Sequence, residues 1–399
     1  MRKTPFDAAV VGRGPVGAAA ALALARAGLR TALVGARPKA PRPRTGDDWD
    51  SRIYALSPGS RTLLETLKAW GAMDEDRIAP VYDMRVRNAA RGDELHLSAY
   101  EAGIETLAWI VEHREIARAL EGALGFSEVQ AFEGTASRVT VEDTAATVRL
   151  DSGDALRARL VVGADGSDSM VRASMGFVTR ETPYGQQGVV ANFRCERSHL
   201  DCAWQWFRDD GILAVLPLPP GLGDTGERFW RFSIVWSAPN AHAESLLALE
   251  PAALAGRVRE AVHDRFGALE PLTPARAFAL RLITVDPIAD ERIALVGDAA
   301  HVVHPLAGHG MNLGFGDVAD LARVLAEREP ERDPGDPLLL RRYVRARAEP
   351  VTAMRLTTDG LFRLFYRSPP PVVALRDIGW RFVQNSRWLK RQLIAQAVR

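Results

Sequence analysis

Between Gly297 and Asn312 the chain reads Gly-Asp-Ala-Ala-His-Val-Val-His-Pro-Leu-Ala-Gly-His-Gly-Met-Asn, one carboxylate and three imidazoles set among closely spaced glycines. The stretch follows the apolar run Ile293 to Val296 and precedes a helical pattern that continues to about Leu325. Asp298 is therefore expected where a buried strand surfaces, placed to accept charge-assisted hydrogen bonds from the hydroxyls of a polyol chain. Pro305, Gly308 and Gly310 let the backbone run close to a flat ring, because glycine has no Cβ to hold it off. The first amides of the helix, with Met311 and Asn312, would point N–H groups at negative charge. This is chemistry suited to a flavin, its ribityl chain held by Asp298 and its anionic reduced ring stabilised by preorganised donors.

A second site lies at the N-terminus. Asp7 to Val11 reads as a buried strand, Gly12-Arg13-Gly14-Pro15-Val16-Gly17 as a glycine turn, the alanine-rich run to Ala27 as a helix ending at Gly28, and Thr31 to Val34 as a second strand. Gly12, Gly14 and Gly17 allow a pyrophosphate to approach the helix N-terminus, and Pro15 suits its first position, having no N–H to lose. The acidic residue expected after the second strand, for the adenosine ribose, is replaced by Gly35-Ala36-Arg37. Taken alone, Arg37 would point to a 2′-phosphate and a nicotinamide-binding fold. A third site, Gly163-Ala164-Asp165-Gly166-Ser167-Asp168, closes a meander of strands near Arg138 to Glu142, Thr147 to Asp151 and Ala155 to Val162.

These motifs need elements that bring distant positions together. A chain of 399 residues exceeds one compact core, and motifs at Gly12, Asp165 and Asp298 must converge, so the cofactor domain is expected to be discontinuous. The expected division is 1–74, 103–182 and 283–335 for a Rossmann-like α/β FAD-binding domain with a β-meander insertion. A mixed β-sheet substrate domain takes 75–102 and 183–282, and a C-terminal helical region takes 336–399. Strand-like runs at Gly188 to Cys195, Ala203 to Phe207, Ile212 to Leu218 and Phe229 to Trp236 form the substrate sheet. There Trp204 and Trp206 share a face, with Leu216 opposite, and are candidates to line a pocket for an aromatic ring with a greasy tail. Packing as plain sheet core is the competing reading.

Composition narrows the function classes. The net charge of +1 excludes an overall basic surface for nucleic acid. Two cysteines, Cys195 and Cys202, fit a reducing cytoplasm without a disulfide framework. No apolar run reaches the roughly 18 residues of a membrane span. The N-terminal apolar run flows into the glycine turn, as a strand would and a signal peptide would not. His301, His304 and His309 match no zinc spacing and have no cysteine or carboxylate partners in sequence, so no metal is expected. From Arg341 to Arg399 there are 13 Lys or Arg against 3 Asp or Glu, beyond a Pro- and acid-rich linker at Glu327 to Pro337. Such a tail can lie on an anionic membrane surface or pack on the body of the protein.

Together the three sites resemble the flavoprotein aromatic monooxygenases of the para-hydroxybenzoate hydroxylase class. Within it the chain is similar to the ubiquinone-biosynthesis hydroxylases over almost its full length. Trp49-Asp50-Ser51-Arg52-Ile53-Tyr54-Ala55-Leu56-Ser57 matches the segment whose arginine lies along the cofactor, which implies that role for Arg52. Val111-Glu112-His113-Arg114 matches the segment whose arginine reaches the phosphate side, implying Arg114, with His113 where the family more often has Asn. Asp359-Gly360-Leu361 before Leu364-Phe365 matches a C-terminal element of the ubiquinone group, and His309 replaces a usual glutamine.

The resemblance implies an enzyme. NAD(P)H reduces FAD, and oxygen activated on the reduced flavin is delivered to the ring of a polyprenylated phenol, with no metal or side-chain nucleophile. Pro305 and His309 then belong to the flavin-facing loop without an acid or base role. Three alternatives differ in observable ways. A hydroxylase of a soluble aromatic metabolite would have a shorter pocket, an NAD(P)-dependent dehydrogenase would bind no FAD, and a non-catalytic flavoprotein subunit would consume no NAD(P)H. Other ubiquinone-biosynthesis proteins are possible partners. Trp204-Gln205-Trp206 also matches part of the flavin halogenase motif, but the Ile-Pro that should follow is absent.

Overall fold

The computed structural model describes residues 5–38, 48–88, 94–223, 226–304 and 310–365, together with 386, 390 and 394. Three sheets organise them. The first contains β1 (Phe6–Val11), β2 (Thr31–Val34), β8 (Gln130–Phe132), β9 (Ala136–Glu142), β10 (Ala145–Leu150), β11 (Ala155–Gly163), β18 (Ala289–Asp290) and β19 (Ile293–Leu295). The second is small: β3 (Ile53–Leu56), β4 (Ile78–Val81) and β7 (Ala108–Glu112). The third contains β5 (Asp83–Asn88), β6 (Glu94–Ser98), β12 (Thr179–Cys195), β13 (Cys202–Arg208), β14 (Gly211–Leu222), β15 (Arg228–Pro239), β16 (Leu269–Pro271), β17 (Arg276–Val285) and β20 (His301–Val302). The helices are α1 (Pro15–Arg26), α2 (Pro58–Thr66), α3 (Ala99–Ala102), α4 (His113–Gly125), α5 (Met170–Ser174), α6 (Asn240–Leu247), α7 (Pro251–Ala261), α8 (Gly310–Ala326) and α9 (Pro337–Phe365).

The first sheet runs in the order β18-β19-β11-β1-β2-β8, parallel from β19 to β8, with β9 and β10 added to β11 as an antiparallel meander. Its central strands are short apolar runs covered on both faces, the pattern a parallel sheet requires. Ala18, Ala19, Ala20 and Ala21 of α1 are all buried, and side chains this small let the helix lie close to the strands. This is the α/β class expected from the sequence.

The third sheet has the order β20-β17-β12-β15-β14-β13-β5-β6, with its strands longer than the apolar runs alone indicated. Pairing with neighbours extends a strand past its hydrophobic stretch, as β12 shows by reaching back to Thr179 to meet β17. Of the segment 75–102, β5 and β6 join this sheet, whereas β4 pairs with β7 in the small one. Helices α6 and α7 cover one face of the large sheet, burying Leu246, Leu254 and Val258 against Phe232, Ile234 and Trp236.

The expected linker after α8 is tied down by charge pairs. Arg292 holds Asp333 at 3.0 Å and Arg342 holds Glu329 at 3.0 Å. Beyond Phe365, the basic tail lies outside the described residues except at 386, 390 and 394.

Candidate functional site

The glycine turn, the Asp165 turn and the Asp298 turn meet at the ends of adjacent strands. The Ala164 N–H donates to the Val11 carbonyl at 2.7 Å and the Val296 N–H to the Gly163 carbonyl at 2.9 Å. At Gly12, φ is +112° and a Cβ would lie 2.2 Å from the Ala164 carbonyl oxygen, so only glycine lets the glycine turn and the Asp165 turn touch. Val16 packs against both Gly297 and Gly314, where a Cβ would lie 3.1 Å and 2.9 Å from its methyls. The N-terminal ends of α1 and α8 are thereby drawn to one place.

Gly14 differs from these glycines. A Cβ there would meet nothing within 4 Å among the described residues, so they leave that space open. Gly14 is also the N-cap of α1, with no side chain accepting from the first-turn amides and Pro15 opening the helix. An open space before uncapped amides fits a pyrophosphate, which needs close approach and N–H donors. Arg13 does not enter that space, because Glu121 of α4 holds its guanidinium by two bonds at 2.8 and 2.9 Å. The Arg13 side chain fills the position facing Gly35, where a Cβ would lie 2.7 Å away, and so accounts for the missing acid after β2.

Asp298 follows β19 in a single 3-10 turn. Its side chain is exposed, yet burial by the surrounding atoms raises its carboxyl above the usual range, against the pull of His301, Arg52 and Arg281. Asp298 is thus solvent-reachable and closely surrounded at once. Tyr54 of β3 lines the same place, its hydroxyl pushed up to about 12 by burial, with Arg52 opposing and Asp298 adding to the shift.

Beneath Asp298 lies a buried charge cluster. Asp317 of α8, fully buried, accepts the Gly297 N–H at 2.8 Å and the Arg347 Nε–H at 2.7 Å. His301 Nε2 lies 2.7 Å from Oδ2, the oxygen that accepts the Gly297 N–H. Burial alone would raise the Asp317 carboxyl, but His301, Arg347 and the Gly297 N–H together hold it below the usual range. Arg347 also donates to the Leu313 carbonyl and to Asp320, both at 3.1 Å, and Tyr343 donates to the Leu295 carbonyl at 2.8 Å. Helix α9 thus fixes the strand end that carries Asp298.

The remaining predicted residues are placed as follows. Gly310 and Met311 open α8, with open space beside Gly310. The Asn312 side chain was expected to face the cofactor, but it accepts from Ser57 and Ser60 and donates to Ala55. Arg52 is exposed, next to Tyr54 and Asp298. Arg114 is bound by Asp48 at 2.8 Å and Glu112 at 3.1 Å, and Glu112 accepts the Asp50 N–H, fixing the segment before Arg52. His113 packs beside Tyr54, and burial lowers its imidazole's proton affinity. Asp165 accepts from Ser169 and from the Val171 N–H, so its side chain stabilises the start of α5. Pro305, Gly308 and His309 lie outside the described residues. His301 and His304 diverge, one to Asp317 and the other to the Tyr184 ring, where burial lowers it to about 4.

Trp204 and Trp206 require correction. Both are buried, stacked with centroids 5.5 Å apart and edge-on to Phe266, in the layer between the large sheet and its helices. They form sheet core on the face turned away from the small sheet and do not line a pocket there. Leu216 lies on the opposite face, half-buried against the cluster of Trp49, Ile53 and Ile110. Tyr54, Arg281 and Asp317 were not singled out from the sequence. Asp317 had a signal, an acid within the apolar stripe of Leu313, Val318 and Leu321, while Tyr54 and Arg281 had none beyond their neighbours.

Comparison with known proteins gives the family and the fold. The family described as FAD binding domain matches residues 5–357. A ubiquinone hydroxylase, UbiL, of Rhodospirillum rubrum is 34% identical, covering 98% of this chain and 89% of its own. The 3-demethoxyubiquinol 3-hydroxylase of Escherichia coli is 32% identical over the whole of both chains, 100% of each. Among solved structures, Klebsiella pneumoniae HpxO complexed with FAD and uric acid aligns with a TM-score of 0.72 at 18% identity, covering 98% of this chain and 96% of its own.

Proposed function

The chain belongs to the FAD binding domain family, and from that premise we propose that it is an FAD-dependent monooxygenase that hydroxylates the ring of a polyprenylated phenol in ubiquinone biosynthesis, with NAD(P)H as reductant. One observation carries the reading: the three turns close on one another through Gly12, Val16, Gly297 and Gly314, yet leave the space beside Gly14 open and Asp298 exposed.

Bound FAD would supply reduction by the nicotinamide nucleotide and activation of oxygen, the chemistry no side chain here provides. The protein's part is to hold and orient it. Gly12, Gly14, Pro15, Val16 and Gly17 would cradle the pyrophosphate. Asp298 would accept the ribityl hydroxyls, and Arg52 and Asp165 would flank the chain. The amides of Gly310, Met311 and Asn312, with Pro305, Gly308 and His309, would face the ring. Arg114 would reach the phosphate side by exchanging its present carboxylate partners. Excluding water from this cleft strengthens each of these contacts.

Among the described residues no helix is long and apolar enough to cross a membrane. The basic tail supports peripheral contact with an anionic membrane surface, where a prenylated substrate would reside. The test is to supply the purified FAD-loaded protein with NADH or NADPH, oxygen and a short-chain prenylated phenol. Labelled oxygen should appear in a hydroxylated product. NAD(P)H consumption with no oxygenated product would refute the reading, as would failure to retain FAD.

A further inference from the structure

Because Trp204 and Trp206 point to the helices, strand alternation turns Gln205 to the opposite face, the one that meets the small sheet. On that face β14 and β15 are interior strands, yet Ala214, Leu216 and Val235 remain only half-buried. The surface is covered at one end, where Trp49 and Ile53 pack near Leu216, and at the other, where Tyr184 packs on Phe207 and Ile212. A sheet face covered at both ends and open between them is a trough. Gln205, in register with Ala214 on one side and Val86 on the other, lies in its floor.

Gln205 is 5% exposed, and its carboxamide makes no hydrogen bond among the described residues. The polar atoms sealed from solvent nearby are Asn192 Oδ1 and Ser233 Oγ on β12 and β15, while the Gln205 amide keeps its small contact with the trough. A nearly desolvated amide over an apolar floor is costly until something polar meets it. Its position is preset, because the stacked tryptophans on either side anchor β13 from behind.

We propose that Gln205 hydrogen-bonds an oxygen on the substrate's aromatic ring and so selects an oxygenated ring from a bare one carrying the same tail. The proposal rests on the hydroxylase reading and names the residue that orients the substrate within it. A carboxamide suits the task because it can accept from a ring hydroxyl or donate to a ring ether or carbonyl oxygen.

The experiment titrates the oxidised, FAD-loaded protein with 2-geranylphenol and with geranylbenzene, following the flavin absorbance. The parent protein should bind the phenol about tenfold more tightly, as one hydrogen bond made away from water allows. In Gln205→Met, which keeps the length and removes the amide, the two affinities should agree within about twofold, with FAD content and thermal midpoint unchanged. Gln205→Glu, which keeps an acceptor, should retain preference for the phenol. Undiminished preference in Gln205→Met would overturn the proposal, as would equal binding of both probes by the parent protein. Gln205→Leu is the second apolar variant, and failure of both to fold would make the amide structural and likewise overturn it. If the parent protein binds neither probe, the hydroxylase reading itself fails.

Discussion

Replacing Arg347 with methionine should expose how α9 supports the site. Arg347 is 5% exposed and makes three contacts, to Asp317 at 2.7 Å and to Asp320 and the Leu313 carbonyl at 3.1 Å each. Methionine keeps most of the aliphatic length but leaves the Asp317 carboxylate buried with only His301 and the Gly297 N–H. Breaking a buried pair from one side typically costs about 3 to 5 kcal/mol, because the remaining charge is uncompensated. The expected loss at neutral pH is in that range, measured by urea unfolding of the FAD-free protein with tryptophan fluorescence. Arg347→Lys, which keeps the charge without the planar fork, should lose less, roughly 1 to 3 kcal/mol. The pH dependence gives the sign. In the parent protein the folded Asp317 carboxyl lies below its usual range, so its stabilisation is present above the unfolded value and is lost as pH falls through the folded one. In the variant one of the charges that hold the carboxyl down is gone, so less stabilisation remains to be lost on acidification. The gap between the two proteins should therefore narrow as pH falls from neutrality. A loss under about 1 kcal/mol, or a gap that widens on acidification, would refute the reasoning.

Asp298→Ala should weaken FAD binding by about 1.5 to 3 kcal/mol through loss of a charged acceptor, read as flavin released on gel filtration, and equal retention would remove Asp298 from the site. Because burial raises this carboxyl, the parent protein should lose FAD affinity on acidification before an ordinary aspartate would protonate, and Asp298→Asn should show no such dependence. Gly12→Ala and Gly14→Ala should behave oppositely. The first collides with the Ala164 carbonyl and should not yield folded protein, while the second should fold normally and bind FAD at least about tenfold more weakly, so normal FAD affinity in Gly14→Ala would place the pyrophosphate elsewhere. Neutralising Arg387, Lys390 and Arg391 together should reduce salt-sensitive sedimentation with anionic liposomes and leave FAD content intact, each charge near the surface contributing about 1 kcal/mol, and unchanged sedimentation would argue for a packed tail.

Elements whose signal is local were legible in the chain. The runs Asp7 to Val11 and Thr31 to Val34 are too short and too apolar to be anything but buried strands, and the glycine turn between strand and helix has one geometric purpose. Convergence of three turns hundreds of residues apart was expected only because a shared ligand requires it, and the structure achieves it by contacts no spacing reveals, with Val16 seated on Gly297 and Gly314. The substitution of Gly35 for an acid looked like a lost ribose contact, and its local cause, the Arg13 side chain held by Glu121, depends on a helix more than a hundred residues away.

The tryptophans show where such reading stops and why. Alternation fixes that Trp204 and Trp206 share a face of β13, but a strand has two equivalent faces, and nothing within the tripeptide says which one meets the cofactor domain. The choice is made by residues 240–261, whose two helices need a large apolar surface to cover and take the face richest in aromatic side chains. Once the rings are committed to that layer, the residue between them must face the other way. The polar member of Trp204-Gln205-Trp206 is thus held over an apolar floor, where it is least solvated and its hydrogen bond to a ligand is strongest. Of the two readings the tryptophans allowed, sheet core prevails, leaving one ligand-facing amide supported by two structural rings, and the packing that stabilises the sheet is what aims the amide.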